Sequence, residues 1–375
     1  MKYMGSKRAM LQNGLGELLD REAASARRFF DLFAGSGVVA IHVAQQFAIP
    51  VHAIDLQLYS NVLTEAVLLR SRPFEAPTIW KAWESKAQRR FLKHMVPSSE
   101  GITKTVIYAL RQWCDEQGSL PITKAYGGHY FSPAQAVWID ALRASLPRIE
   151  PVRTAALAAL IRAASQCAAA PGHTAQPFQP TRGAKPFLVE AWSRDILGRT
   201  KAAFESIAAV FAIVPGSSEI ADANEAACQL REGDVAFIDP PYSGVQYSRF
   251  YHVLETIASG NPGNVSGVGR YPPPEARPHS SYCLITESKE TLNRLLKTIA
   301  DRGARAVLTF PDHQCSNGLS GSSVRDIAEG HFRIERASVK SQFSTLGGKG
   351  ANGIDEAGRL PRHHTKELML VLSPR

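Results

Sequence analysis

Phe29-Phe30-Asp31-Leu32-Phe33-Ala34-Gly35-Ser36-Gly37 is the stretch on which the fold turns. Residues 28–33 form a run of strand length, and Ala34 to Gly37 make a tight, glycine-bearing turn. Val38 to Phe47 reads as a helix, Pro50 to Ile54 as a short strand ending at Asp55, and Leu58 to Arg70 as another helix. Strand, helix, strand, helix is the βαβ order of a parallel sheet. Gly35-Ser36-Gly37-Val38-Val39-Ala40 has the spacing G-x-G-x-x-A, with Asp55 about 20 residues on. Glycines let backbone approach a ligand, a helix N-terminus faces it, and a strand-end acid holds ribose hydroxyls. Any adenosine-containing cofactor fits those parts, so the loop alone leaves NAD open.

A second apolar run, Val235 to Ile238, ends in Asp239-Pro240-Pro241-Tyr242. The prolines fix φ and remove two backbone donors. Asp239 and the adjacent carbonyl can together accept both hydrogens of an exocyclic amino group, while the Tyr242 ring offers a face on which a nucleobase stacks. A strand halted at Pro-Pro for an ordinary turn is the plainer alternative.

Between these runs the character changes. From Ser71 to Ala212 the periodicity is mostly helical, as in 79–95, 103–116, 133–145 and 151–170. We expect a catalytic domain built from residues 1–70 and 213–375, with 71–212 an inserted, helical domain. Strands are expected again at 218–221, 235–238, 304–310 and 368–372, with helices at 247–258 and 287–301. The Gly-, Pro- and Ser-rich span 259–281 is too long for a plain connector.

Charge follows the same division. The net charge is +9, yet Arg70 to Lys201 hold 19 Lys and Arg against 9 Asp and Glu, a net of +10. The remainder is therefore close to neutral, which points to a polyanion-binding module set into a catalytic frame. Five scattered cysteines without a CxxC pair argue for reduced thiols and against structural zinc, and no HExxH or similar pair calls for a metal. No apolar run reaches the roughly 18 residues of a membrane span, and the basic start lacks an h-region. A cytoplasmic protein is expected.

The N-terminal Lys2-Tyr3-Met4-Gly5-Ser6-Lys7 packs an aromatic ring, a glycine and two ammonium groups into a hook that suits a cofactor bearing a carboxylate. S-adenosylmethionine has one; NAD has a pyrophosphate instead. In order, the hook, the Phe33-to-Gly37 loop, Asp55, a basic insertion and Asp239-to-Tyr242 resemble the Dam-like DNA N6-adenine methyltransferases. Ile220-Ala221-Asp222-Ala223 is similar to that family's further strand-end acid, and Lys366-to-Leu370 to its closing strand. Tyr3 stands where the family often has Trp.

The resemblance implies a Rossmann-like, S-adenosylmethionine-dependent α/β fold with a target-recognition insertion. It implies that Tyr3, Lys7, Phe33, Gly35, Gly37, Asp55, Asp222 and Asp239 meet the cofactor. Asp239, Pro240 and Tyr242 would carry the reaction, methyl transfer to adenine N6 in double-stranded DNA with the base flipped out. A restriction endonuclease partner is compatible with that class. Cytosine N4 is the alternative target, disfavoured by Asp at 239. An NAD-dependent oxidoreductase would leave Asp239-to-Tyr242, the hook and the charge division without a purpose. Tyr247 and Tyr251, four apart, suit a wall of the base pocket, with Arg249 reaching a phosphate. Tyr126-to-Phe131 and the 259–281 loop, with Arg270, Tyr271 and Arg277, are expected to contact DNA.

Overall fold

The computed structural model describes residues 7–99, 101–343 and 363–375, with backbone alone for 336–343 and 363–365. Two compact units emerge. One takes the chain up to Arg72, Phe211–Tyr247 and Pro278–Arg375; the other takes Pro73–Val210 and Ser248–Arg277.

The first unit is a mixed α/β body around a seven-stranded sheet. Its strands are β1 (Phe29–Asp31), β2 (Val51–Asp55), β3 (Ser217–Ile220), β4 (Val235–Ile238), β5 (Arg305–Pro311), β6 (Phe332–Phe343) and β7 (His363–Pro374). They lie in the order β3-β2-β1-β4-β5-β7-β6. Strands β1 to β5 pair in parallel, and β7 runs antiparallel between β5 and β6. Residue alternation explains why the central strands read as unbroken apolar runs. Phe30, Ala236, Ile238, Ala306 and Leu308 enter one core, while Phe29, Val235, Phe237 and Val307 enter another. Both faces are covered, as parallel sheets require.

The order of strand addition reverses between β1 and β4: β2 and β3 are added outward on one side, β5 on the other. Ligands of open α/β sheets bind beyond the carboxyl ends of the strands at such a point. The glycine turn follows β1 there and Asp239 follows β4.

The second unit is helical. Helices Ala76–Phe91, Lys104–Asp115, Pro121–Tyr126, Pro133–Arg143, Val152–Cys167, Lys185–Trp192 and Ile196–Ala209 precede the helix Tyr247–Ser259. Their starts are written locally. Thr103 and Asp195 cap two of them, and Ser132 with Gln135 forms a capping box before Pro133. Asp140 accepts the Ile122 and Thr123 amides at the head of Pro121–Tyr126. Trp83 lies edge-on to Trp80 and Phe204 and donates its indole N–H to the Leu142 carbonyl. Within the described residues, no helix is long and apolar enough to cross a membrane.

One expectation fails here. Tyr126, Tyr130 and Phe131 are fully buried, so this glycine-hinged loop is core and no DNA wedge. The Tyr126 hydroxyl bonds Thr256, and that of Tyr130 donates to the Thr174 and Gly269 carbonyls. Tyr251 is buried as well. The aromatic-and-glycine composition signals a tight packed turn as readily as a mobile one. The helical unit also takes in 248–277, beyond the span read as an insertion.

Candidate active site

Beyond β1, the glycine turn is fixed by strong local bonds. Gly35 and Gly37 have φ of 52° and 73°, left-handed values that suit glycine. A Cβ on Gly37 would lie 2.7 Å from Thr64 Cγ2, so side chains are excluded there on two counts. The Gly35 amide donates to Asp55 Oδ2 at 2.8 Å, and the Gln57 amide to Asp55 Oδ1 at 3.0 Å. Asp55 thus pins the turn. Burial raises its carboxyl above the usual range, with the Gly35 and Gln57 amides opposing. The Ala221 amide donates to the Asp55 carbonyl, which sets the neighbouring strand end beside it. Asp222 there caps the helix Ala223–Ala227 through the Asn224 amide. Asn224 holds the Tyr282 hydroxyl, whose ring meets Phe33 edge-on at 5.1 Å.

Beyond β4, Asp239 is held from two sides. Its Oδ1 accepts from Thr309 Oγ1 on β5 at 2.9 Å and lies 2.9 Å from the Lys7 ammonium. Lys7 is also 2.5 Å from Glu367 Oε1 on β7. Burial works against the Lys7 charge, but Asp239 and Glu367 outweigh it and hold the ammonium well above its ordinary value. Burial likewise pushes the Asp239 carboxyl up, with Lys7 pulling it down. Lys7 therefore lies against the carboxylate of the tetrapeptide, a position its reading as a cofactor contact did not anticipate.

Asn317 fixes the rest of the loop. Its side-chain amide donates to the Pro241 carbonyl at 2.8 Å and the Tyr282 carbonyl at 3.0 Å. Tyr242 is half-buried, edge-on to Tyr247 with ring centroids 6.3 Å apart, and burial pushes its phenol up to about 12. The phenol is neutral at any working pH.

A fifth acid, Asp31, ends β1. Its Oδ2 accepts the Ala40 amide, while Oδ1 is buried without a hydrogen-bond partner. Burial and then the negative charge of Asp239 raise its carboxyl to about 7. A buried acceptor left open is costly and fits a cationic ligand group beside the glycine turn.

Of the residues read from the sequence, Lys7, Phe33, Gly35, Gly37, Asp55, Asp222, Asp239, Pro240 and Tyr242 all fall within this unit; Tyr3 lies outside the described residues. Asp31, Thr309, Asn317 and Glu367 were not singled out. Thr309 in Val307-Leu308-Thr309-Phe310 and Asp31 after Phe29-Phe30 carried a signal, a polar side chain in a buried strand. Asn317, in a loop, carried none.

Residues 3–100 match the D12 class N6 adenine-specific DNA methyltransferase family. That span takes in the glycine turn and Asp55 and ends before Asp239. The chain is 26% identical over 310 residues to the Type II methyltransferase M.FokI of Planomicrobium okeanokoites, covering 79% of this chain and 42% of the relative. It is 25% identical over 291 residues to the modification methylase LlaI of Lactococcus lactis subsp. lactis, covering 72% and 40%. With the Type II methyltransferase M.NlaIII of Neisseria lactamica the identity is 26% over 344 residues, covering 88% of both. The resemblance drawn from the ordered motifs is borne out: the chain is similar to the N6 adenine-specific DNA methyltransferases, by family match over residues 3–100. It spans less than half the length of M.FokI and LlaI.

Proposed function

We propose that this protein transfers a methyl group from S-adenosylmethionine to the N6 amino group of adenine in duplex DNA. The observation that carries the reading is Asp239, held by Lys7 and Thr309 at the carboxyl end of β4, where the strand order reverses beside the glycine turn. The residues suit the cofactor. Gly35 and Gly37 would line its methionine end, the open Asp31 Oδ1 suits its ammonium, and the Asp55 carboxylate suits its ribose hydroxyls. Phe33 would line the methionine end as well, Asp222 would face its adenine, and Tyr3 and Lys7 would close the site from the N-terminal hook. When bound, the cofactor supplies an electrophilic methyl on a sulfonium.

The adenine amine is a poor nucleophile because its lone pair is delocalised into the ring. Asp239 and the Pro240 carbonyl, accepting its two N–H bonds, favour a pyramidal nitrogen with the lone pair free for in-line attack. That is catalysis by positioning and electrostatics. Fixed by Thr309 and Lys7, Asp239 needs no reorganisation at the moment of reaction. Reaching the amine requires base flipping, at a few kcal/mol; stacking on Tyr242, worth roughly 1–3 kcal/mol, offsets much of it. The basic helical unit would serve target recognition, and a companion restriction endonuclease fits an enzyme of this type. The test is incubation of duplex DNA with labelled cofactor, followed by nucleoside analysis. N6-methyladenine should form, and Asp239→Ala should abolish it while leaving DNA binding nearly intact. N4-methylcytosine, or parallel loss of transfer and DNA binding, would overturn the assignment.

A further inference from the structure

Two arginines of the helical unit share one aromatic ring. The Arg249 guanidinium carbon lies 4.7 Å from the centroid of Tyr271, and that of Arg277 lies 5.7 Å from the same centroid. Both distances are within cation–π range. The ring is held in place from several sides. Its hydroxyl donates to the Ala175 carbonyl, its backbone exchanges two hydrogen bonds with Ser266, and its face meets His252 at 4.9 Å. His252 is buried, with its Nε2 on the Gly269 carbonyl, and burial lowers it to about 4, so it is neutral and adds no charge.

Nearby cations are differently placed. Arg270 pairs with Asp115 and donates to the Ala125 and Lys124 carbonyls. Neither Arg249 nor Arg277 has a carboxylate within ion-pairing distance among the described residues. The Nε of Arg277 is buried without a hydrogen-bond partner. Burial and then the charge of Arg249 disfavour the Arg277 cation, with Tyr271 and Glu275 pulling the other way. Holding like charges together on a fixed platform, with a donor left open, is unfavourable unless an anion relieves it. The forked donors of guanidinium match the oxygens of a phosphate.

We infer that Arg249 and Arg277, mounted on Tyr271, form a clamp for one backbone phosphodiester of the DNA strand. This rests on the proposed function but concerns a different unit from the one that would perform transfer. A phosphate contact fixes register without reading sequence.

The experiment is fluorescence anisotropy with duplexes of cognate and scrambled sequence across a potassium chloride series, for the full-length wild type and Arg249→Ala/Arg277→Ala. The double variant should bind both duplexes roughly tenfold more weakly. Its plot of log affinity against log salt should be shallower by about 0.9, the value for one phosphate. Arg249→Lys/Arg277→Lys should keep the slope while losing affinity, and cofactor affinity by calorimetry should not change. An unchanged slope in the alanine variant would overturn the clamp. So would a loss confined to the cognate duplex, which indicates base reading, or tighter wild-type binding to an RNA duplex than to DNA. DNA binding with the expected slope change but no methyl transfer would refute the catalytic reading alone.

Discussion

At the scale of single residues, the site is organised around one ammonium shared by two carboxylates. Burying Lys7 alone would cost several kcal/mol, and pairing offsets that cost. With Glu367 taking part of its charge, Asp239 would, in the proposed reaction, keep enough negative character to accept an amine hydrogen. Glu367→Gln throws the whole ammonium onto Asp239. We expect kcat to fall by about tenfold with little change in cofactor KM, and Glu367→Asp to restore part of it. A rise in KM with kcat unchanged would make Glu367 a binding residue instead. Asp31 sets a pH dependence. Its carboxyl is raised to about 7, against about 3.9 in an unfolded chain. The folded state thus binds that proton more tightly. The stabilisation is complete below about pH 4 and is lost as pH rises through 7. Asp31→Asn should remove this part of the slope, so the stability difference between variant and wild type should grow in the variant's favour from pH 5 to 8. Parallel urea midpoints across that range would count against Asp31 as the titrating group.

At the scale of elements, buried parallel strands were the easiest part to read. Val235–Ile238 was expected and found residue for residue, and Val51–Asp55 differs from its expected span only at the ends. Both are short apolar runs closed by an acid. The antiparallel edge was harder. Strand β7 extends over His363–Pro374, well beyond the apolar 368–372, and β6 was not foreseen. Phe332 is buried and Arg333 exposed, but the period-two pattern fades at Arg336-Ala337-Ser338, as an edge strand permits. The helix Gly321–Glu329 hides behind Ser320-Gly321-Ser322-Ser323, which reads as loop although Ser320 and Ser323 form a capping box. The site was legible where chemistry needs a specific residue at a strand end. It was illegible at Asn317 and Glu367, whose roles come from tertiary contact. The glycine turn gives this scale its prediction. Gly37→Ala should cost about 1–2 kcal/mol from the left-handed φ, plus the contact with Thr64 Cγ2. Thr64→Ser keeps the hydroxyl bonds to Ser60 and Asn61 and removes that methyl. In its background the penalty should shrink but not vanish. A thermal-melting cycle that proved strictly additive would show that the turn relaxes elsewhere.

For the whole molecule, charge is divided unevenly along the chain. Lys7 and Glu367 of the sheet unit are buried and, with Asp239, paired, whereas the net positive excess sits in 70–201 on helices with exposed basic faces. In the helix Ala76–Phe91, Lys81, Lys86 and Arg89 are exposed, with Lys93 just beyond, while Trp80, Trp83 and Ala87 face the core. Replacing these four cations by glutamate leaves the packed face untouched, so thermal stability should hardly move. The polyelectrolyte consequence is large. Each lost phosphate contact removes about 0.9 from the slope of log affinity against log salt, so up to about 3.6 should disappear if all four reach phosphates. Cofactor affinity, which the proposed site would set in the sheet unit, should stay within about twofold. The measurement is a salt titration of duplex binding beside calorimetry of the cofactor. A slope that survives all four reversals would move the phosphate-binding surface to another face of the helical unit. Joint loss of cofactor binding would mean that the two units do not act as separable bodies.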